Sequence, residues 1–347
     1  MTSAPRSKLP VAILGATGTV GQKFIRLLAD HPWFEIAALT ASPESAGKRY
    51  ADAARWREPM AVPDRIAAMT VQPSDAPLEV AVAFSALDAK AAGPIEPAWA
   101  RAGVAVVTNA SPQRMDPVVP LIVPEVNHGH LALIERQRLE KGWSGVIVAN
   151  PNCTTAGLVL ALAPLHQAFG VDRLFVSTMQ AISGAGWPGV ASLDIVGNVI
   201  PFISGEEEKV EQETRKILDG PAIRSSVHTN RVPVDDGHTE TVSVGFGRRV
   251  SVDEAREAIR SWRVDPEVAD LPSTPAIPIE IDDRPDRPQP KLDRERGGGM
   301  TVTVGRLRGC PILDLRFVVL SHNTIRGAAG AAVQNAELLV RTGRVGR

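Results

Sequence analysis

A chain of 347 residues, 44% hydrophobic and 22% charged, is long enough for two cores, and its composition excludes a disordered or fibrous protein. A formal net charge of -1, with Lys and Arg spread along the chain, excludes the basic footprint of a nucleic-acid or anionic-membrane binder. Aromatics at 4%, only two cysteines, no signal-peptide core and no run near the roughly 18 apolar residues of a membrane helix leave a cytoplasmic protein that acts on a small molecule.

Residues 10–15, Pro-Val-Ala-Ile-Leu-Gly, predict a buried parallel strand, and 18–29 predict a helix with an apolar rhythm through Val20, Phe24, Leu27 and Leu28. The loop between them, Gly15-Ala-Thr17-Gly18-Thr19-Val20-Gly21, thus follows a strand and opens a helix. In that context glycines let the backbone approach a dinucleotide pyrophosphate at the helix N-terminus. The next strand, from Phe34 to Leu39, runs into Ser42-Pro-Glu44-Ser45-Ala-Gly-Lys48-Arg49. Hydroxyl and basic groups cluster where an acidic residue would grip the ribose 2′-hydroxyl of NAD, which favours NADP, and Glu44 is the feature that points the other way.

Apolar runs at 80–84, 104–107 and 146–148, with a helix over 89–102, complete a doubly wound parallel sheet. Arg114 follows one of these runs at the strand's carboxyl end, where such sheets bind ligands, and its planar fork suits phosphate or carboxylate. The domain boundary falls near 150. Residues 1–152 and 324–347 are expected to form the cofactor domain, and 153–323 an α+β catalytic and dimerisation domain.

Asn150-Pro-Asn152-Cys153-Thr154-Thr155 leads into a helix over 154–168. Cys153 therefore sits at a helix N-terminus, where the dipole and unpaired N–H groups favour a thiolate and lower its pKa. The alternative is a small buried hydrophobe, and Cys310, in Arg308-Gly-Cys310-Pro-Ile, keeps that reading. A strand at 174–178, a glycine-rich loop and a polar helix over 206–218 follow. In that helix Glu206 and Lys209, three apart, project from one face and can read opposite charges on one small substrate. A capping box made by Ser204 and Glu207 is the competing explanation.

Period-2 segments at 239–246, 300–307 and 313–320 predict antiparallel strands, 282–299 a long loop, and Thr324 to Val340 a helix that packs back on the first domain. Among seven histidines, His31, His128 and His130 read as loop residues, His166 lies in an amphipathic helix, and His228 and His322 flank strands. His238 differs: Arg231-Val-Pro-Val-Asp-Asp-Gly237-His238-Thr-Glu240 sets an imidazole beside a turn glycine, seven residues after an arginine in a strand-like segment. Imidazole can take a thiol proton and return it near neutral pH.

Together these blocks resemble the aspartate-semialdehyde dehydrogenases of the archaeal and fungal branch. The resemblance runs through Gly15 to Gly21, Asn150 to Thr155, Gln180-Ala-Ile-Ser183-Gly184-Ala-Gly186, Gly205-Glu-Glu-Glu-Lys209, Arg231 to Glu240, Arg287-Pro-Gln-Pro and Ser321-His-Asn323-Thr-Ile-Arg-Gly327. It implies a glyceraldehyde-3-phosphate-dehydrogenase-like fold and a reversible reaction in the aspartate pathway of amino-acid biosynthesis, from L-aspartyl-4-phosphate and NADPH to L-aspartate-4-semialdehyde, NADP and phosphate. It further implies Cys153 as nucleophile, His238 as proton shuttle and Gln180 as orienter of the acyl group. Arg231 would grip the substrate carboxylate, Glu206 its ammonium group, and Arg114, Asn152 and Lys209 the phosphate. Ser42, Ser45, Ser183, Gly184, Asn323 and Gly327 would join the glycine loop around the cofactor. A homodimer or homotetramer and no catalytic metal are implied. Malonyl-CoA reductase is the related alternative, and a non-catalytic NADP-binding sensor the alternative of another class.

Overall fold

The computed structural model describes residues 5 and 7–346. Strands β1 (Leu9–Leu14), β2 (Phe34–Ala41), β3 (Gln72–Pro73), β4 (Val82–Ser85), β5 (Ala105–Thr108) and β6 (Val146–Ala149) form a parallel sheet in the order β3-β2-β1-β4-β5-β6. Val11 to Leu14 are fully buried, as expected of a parallel strand covered on both faces. The order reverses between β1 and β4, so the loop after β1 opens at the sheet's switch point.

Helix α1 (Thr19–Leu28) begins there on Gly18, with no side-chain cap. Gly15 takes φ +75°, which only glycine adopts without strain, and a Cβ on Gly21 would lie 2.3 Å from the Gly15 carbonyl oxygen. The turn is therefore built from bare backbone, with amides at a helix start, and it fits a pyrophosphate.

Helices α2 (Ala89–Arg101) and α3 (Leu133–Lys141) flank this sheet, and α4 (Cys153–Phe169) leads into the second. Strands β7 (Val171–Gln180), β8 (Arg224–Arg231), β9 (His238–Phe246), β10 (Ile279–Asp282), β11 (Val302–Gly309) and β12 (Leu315–Ser321) run in the order β10-β11-β12-β9-β7-β8. Helices α5 (Glu206–Ile217) and α6 (Val252–Ser261) belong to the same half. Every residue of α4 from Thr154 to Leu165 is buried, in a core shared with Leu14 and Ile147 of the first sheet and Val176 and Val242 of the second. A helix enclosed in this way is apolar all round.

After β12 the chain makes a π-helical turn (Ile325–Ala329) and continues as α7 (Gly330–Arg341), which packs into the core of the first sheet beside Phe24 and Phe34. Arg326 in that turn is fully buried and donates to both oxygens of Glu125, at 3.0 and 2.8 Å. Removing one partner of such a buried pair costs about 3–5 kcal/mol, so the pair fixes where the turn sits. Among the described residues no helix is long and apolar enough to cross a membrane.

Several sequence expectations need correction. The second sheet is mixed, because β7 pairs with β8 and β10 with β11 in parallel. Residues 282–299 are not a bare loop: they hold two short helical turns, drawn together by Arg296 donating to Asp282 at 2.6 Å and to Asp293 at 2.7 Å. The helix carrying His166 is not amphipathic over its length, and His128 and His130 lie in a 3-10 turn rather than a loop. The Ser204–Glu207 capping box does not form, since Gly205 is the N-cap and Glu207 accepts from the Thr229 amide at 2.9 Å.

Candidate active site

Asn152 caps α4, its Oδ1 accepting from the amides of Thr154 at 2.9 Å and Thr155 at 3.3 Å. Cys153 is thereby fixed as the first residue of the helix. Strands β7 and β8 end together with Gln180 opposite Arg231, and β9 starts at the same edge with His238. Three strand ends thus bring Gln180, Arg231 and His238 to the start of α4. The sulfur of Cys153 lies 3.2 Å from His238 Nε2. The Ala181 amide donates to His238 Nδ1 at 3.1 Å, so the ring proton of the neutral imidazole sits on Nε2, facing the sulfur.

Loops close around this pair. Asn323 Nδ2 donates to Ser183 Oγ at 2.8 Å and Asn323 Oδ1 accepts from the Gly237 amide at 2.8 Å. A Cβ on Gly184 would stand 2.8 Å from Arg231 Nη1 and 3.3 Å from His238 Nε2, and one on Gly327 would stand 2.8 Å from the Cys153 Cβ. Ser183, Gly184, Asn323 and Gly327 therefore border the reactive pair itself. Arg231 is buried and donates from Nη1 to the Ala181 carbonyl at 2.7 Å. Gln180 Nε2 donates to Thr178 Oγ1 at 3.4 Å. Thr17, Thr19 and Val20 lie at the start of α1, and Ser42 and Ser45 lie in the turn after β2, where the Ser42 hydroxyl engages Glu44 and holds that carboxyl below its usual pKa.

Helix α5 supplies the charges. Glu206 accepts from Asn152 Nδ2 at 2.7 Å, and Lys209 Nζ lies 3.7 Å from the other Glu206 oxygen. Arg114 is buried, with Nη1 donating to Glu213 at 3.0 Å and Nη2 to the Asn109 carbonyl at 2.6 Å. Glu213 also accepts from the Asn152 amide, so one carboxylate joins Arg114 to the turn that carries the nucleophile. Sequence reasoning missed Glu213. Its signal was an acidic residue two helical turns after Glu206, on the same face as the buried Val210, Thr214 and Ile217.

The electrostatics reverse one expectation. The helix start does not decide the Cys153 thiol: burial, and then the carboxylate of Glu206, push it up to about 12, against the weaker pull of Arg114, Arg231 and the Thr154 amide. Burial, followed by the charges of Arg231 and His322, pushes His238 down to about 3. Without substrate, the pair is a neutral thiol beside a neutral imidazole. A cation that meets Glu206 removes the second cause of the raised thiol pKa.

Glu206→Gln should therefore alkylate faster at Cys153 with iodoacetamide at neutral pH, by several-fold as read by mass spectrometry of the modified peptide. Its kcat/KM should fall by about 10- to 100-fold, since a hydrogen bond to a charged group is lost. Slower alkylation would show that Glu206 does not burden the thiol.

Comparison with known proteins places nearly the whole chain beside one family. Residues 10–134 match the family model described as semialdehyde dehydrogenase, NAD binding domain, and residues 162–326 match that described as semialdehyde dehydrogenase, dimerisation domain. An aspartate-semialdehyde dehydrogenase of Archaeoglobus fulgidus is 49% identical over 340 residues, covering 95% of this chain and 98% of its own. That of Schizosaccharomyces pombe is 48% identical over 351 residues, covering 96% and 98%. The crystal structure of the Candida albicans enzyme with NADP superposes with a TM-score of 0.89 at 45% identity, covering 97% of this chain and 99% of that one. The aspartate semialdehyde dehydrogenase II of Vibrio cholerae, complexed with ASA, gives 0.78 at 29% identity, covering 96% and 99%.

Proposed function

Because the chain belongs to the aspartate-semialdehyde dehydrogenase family, we propose that it is the NADP-dependent, phosphorylating enzyme that interconverts L-aspartyl-4-phosphate and L-aspartate-4-semialdehyde, a step in amino-acid biosynthesis from aspartate. The observation that carries this reading is the 3.2 Å contact between Cys153 and His238 Nε2, ringed by Arg231, Glu206 and Lys209.

Cys153 attacks the acyl carbon, the bond from that carbon to the phosphate oxygen breaks, and phosphate leaves with the electron pair and takes up the thiol proton. Arg231 receives the substrate carboxylate, and Gln180 orients the acyl oxygen. The substrate ammonium pairs with Glu206, which lowers the burden on the thiol and releases Lys209 to meet the phosphate beside Asn152 and Arg114. NADPH, when bound, supplies the hydride that reduces the thioester. His238 Nε2–H donates a hydrogen bond to the oxygen that acquires negative charge, and the released sulfur takes up a proton from solvent as the carbon–sulfur bond breaks and the aldehyde forms.

The glycine turn at Gly15, Gly18 and Gly21, with Thr17, Thr19 and Val20, is read as the pyrophosphate cradle. Ser42 and Ser45 would meet the ribose phosphate, and Ser183, Gly184, Asn323 and Gly327 the nicotinamide side. Residues 1–152 with 324–347 form the cofactor domain in this reading, supported by the packing of α7 beside Phe24 and Phe34, and 153–323 form the catalytic and dimerisation domain. A homodimer is part of it: Phe175 of the second sheet and, further along the chain, Leu193, Val196 and Phe202 are exposed, large apolar side chains of the kind an interface covers. So is a cytoplasmic location, since a free nucleophilic thiol persists in a reducing compartment.

Steady-state kinetics of Arg231→Leu test the substrate assignment. We expect kcat/KM for L-aspartate semialdehyde to fall by about 10²- to 10³-fold with the loss of a buried ion pair to the carboxylate. Turnover of malonyl-CoA by the unaltered protein, with none of the semialdehyde, would replace the acyl phosphate with an acyl-CoA.

A further inference from the structure

His238 and Glu240 stand two apart on β9 and so share one face of the sheet. The register sets Thr178 of β7 and Val319 of β12 opposite Glu240, and Ser321 opposite His238. Gln180 leans on the same row through its hydrogen bond to Thr178. Glu240 is 0% exposed, yet among the described residues neither of its carboxyl oxygens has a hydrogen-bond partner, and neither does Ser321 Oγ. Both groups surround one point. The place a Cβ on Gly157 would take, one helical turn beyond Cys153, is 2.4 Å from Ser321 Oγ and 3.5 Å from Glu240 Oε1.

An ionised carboxylate without donors is not tenable in such surroundings. Burial holds Glu240 well above the ordinary carboxylate range. Two unpartnered buried polar groups around one point are the kind that a single buried water joins.

We propose that Glu240 is a neutral carboxylic acid which, bridged to Ser321 by one buried water, is a positioning residue for the Cys153–His238 pair. The inference rests on the reading of that pair as the reactive centre. The titratable group nearest along its own strand is His238, and burial rather than any neighbouring charge raises the Glu240 carboxyl. Its neutrality matters because a second carboxylate charge beside His238 would add to that of Glu206 and oppose thiolate formation. A polar but uncharged row behind the pair fixes its geometry without that penalty.

Glu240→Gln tests this. The infrared difference between the unaltered protein and the variant should show a protonated-carboxyl carbonyl band at neutral pH, lost on substitution. Folding the unaltered protein at neutral pH takes up a proton at Glu240, so its stability falls as pH rises above the ordinary carboxylate pKa. The variant has no such loss, and its melting temperature should gain on the unaltered protein as pH rises above the ordinary carboxylate range. Its kcat and pH profile should stay within about 3-fold, whereas Glu240→Ala should lower kcat by about 10-fold with little change in KM.

Absence of the band, or a pH limb that moves in Glu240→Gln, would make Glu240 an ionised base and overturn the proposal. Full kcat in Glu240→Ala would remove the positioning role. Should Glu240→Gln fail to fold, Ser321→Ala must shift the frequency of the carboxyl band, and an unshifted band refutes the bridge. The band and the stability profile need no turnover, so they remain decisive even where the substrate assignment fails.

Discussion

Cys153→Ala is expected to reduce turnover by about 10⁴-fold or more while leaving the fold and NADP binding in place, because a covalent route has no substitute once its nucleophile is gone. Cys153 as a residue is only half-buried and its deletion opens little space, so the melting temperature should move by only a few degrees. The other cysteine cannot take over. Cys310 follows the end of β11, buried in its own turn where its sulfur accepts from the Leu313 amide, and it lies outside the cluster of Gln180, Arg231 and His238. Stopped-flow measurement of NADPH formation would show this directly, and an alanine variant with undiminished turnover would remove Cys153 from the mechanism.

His238→Asn is expected to lower kcat by about 10²- to 10³-fold, the usual worth of one positioned donor to a developing oxyanion. Asparagine can still accept from the Ala181 amide, so the change tests the imidazole rather than the local fold. The same variant carries a stability signature. In the folded chain His238 is pushed down to about 3 from an ordinary value of 6.5, so between these limits the unfolded chain binds a proton that the folded one cannot. Stability therefore falls as pH drops through that window. His238→Asn should lose less stability than the unaltered protein on acidification, as read by urea denaturation across the acid range. An equal loss would mean that the imidazole is charged in the folded state.

What could be read from the sequence was local. The glycine turn could be recognised because strand, glycines and helix are contiguous, and Cys153 because Asn152 caps the helix it opens. The direction of the thiol pKa could not. A helix start is a local cue, whereas burial by two sheets and the carboxylate of Glu206, 54 residues from the Asn152 it contacts, are tertiary. Glu213 was hidden for the same reason, since its partners Arg114 and the Asn152 amide come from distant parts of the chain. The polarity of 282–299 suggested an exposed loop, yet Asp282 and Asp293 there are buried by pairing with Arg296, which composition alone does not disclose. The parallel pairing of β10 with β11 likewise depends on a connection of nineteen residues through that network.

The central claim is that Cys153 forms a thioacyl enzyme that phosphate resolves, and the most direct measurement is NADP reduction by the purified protein with L-aspartate semialdehyde, in buffer with and without phosphate or arsenate. We predict reduction only when one of these anions is present. Equal reduction in their absence, or reduction with malonyl-CoA alone, would contradict it.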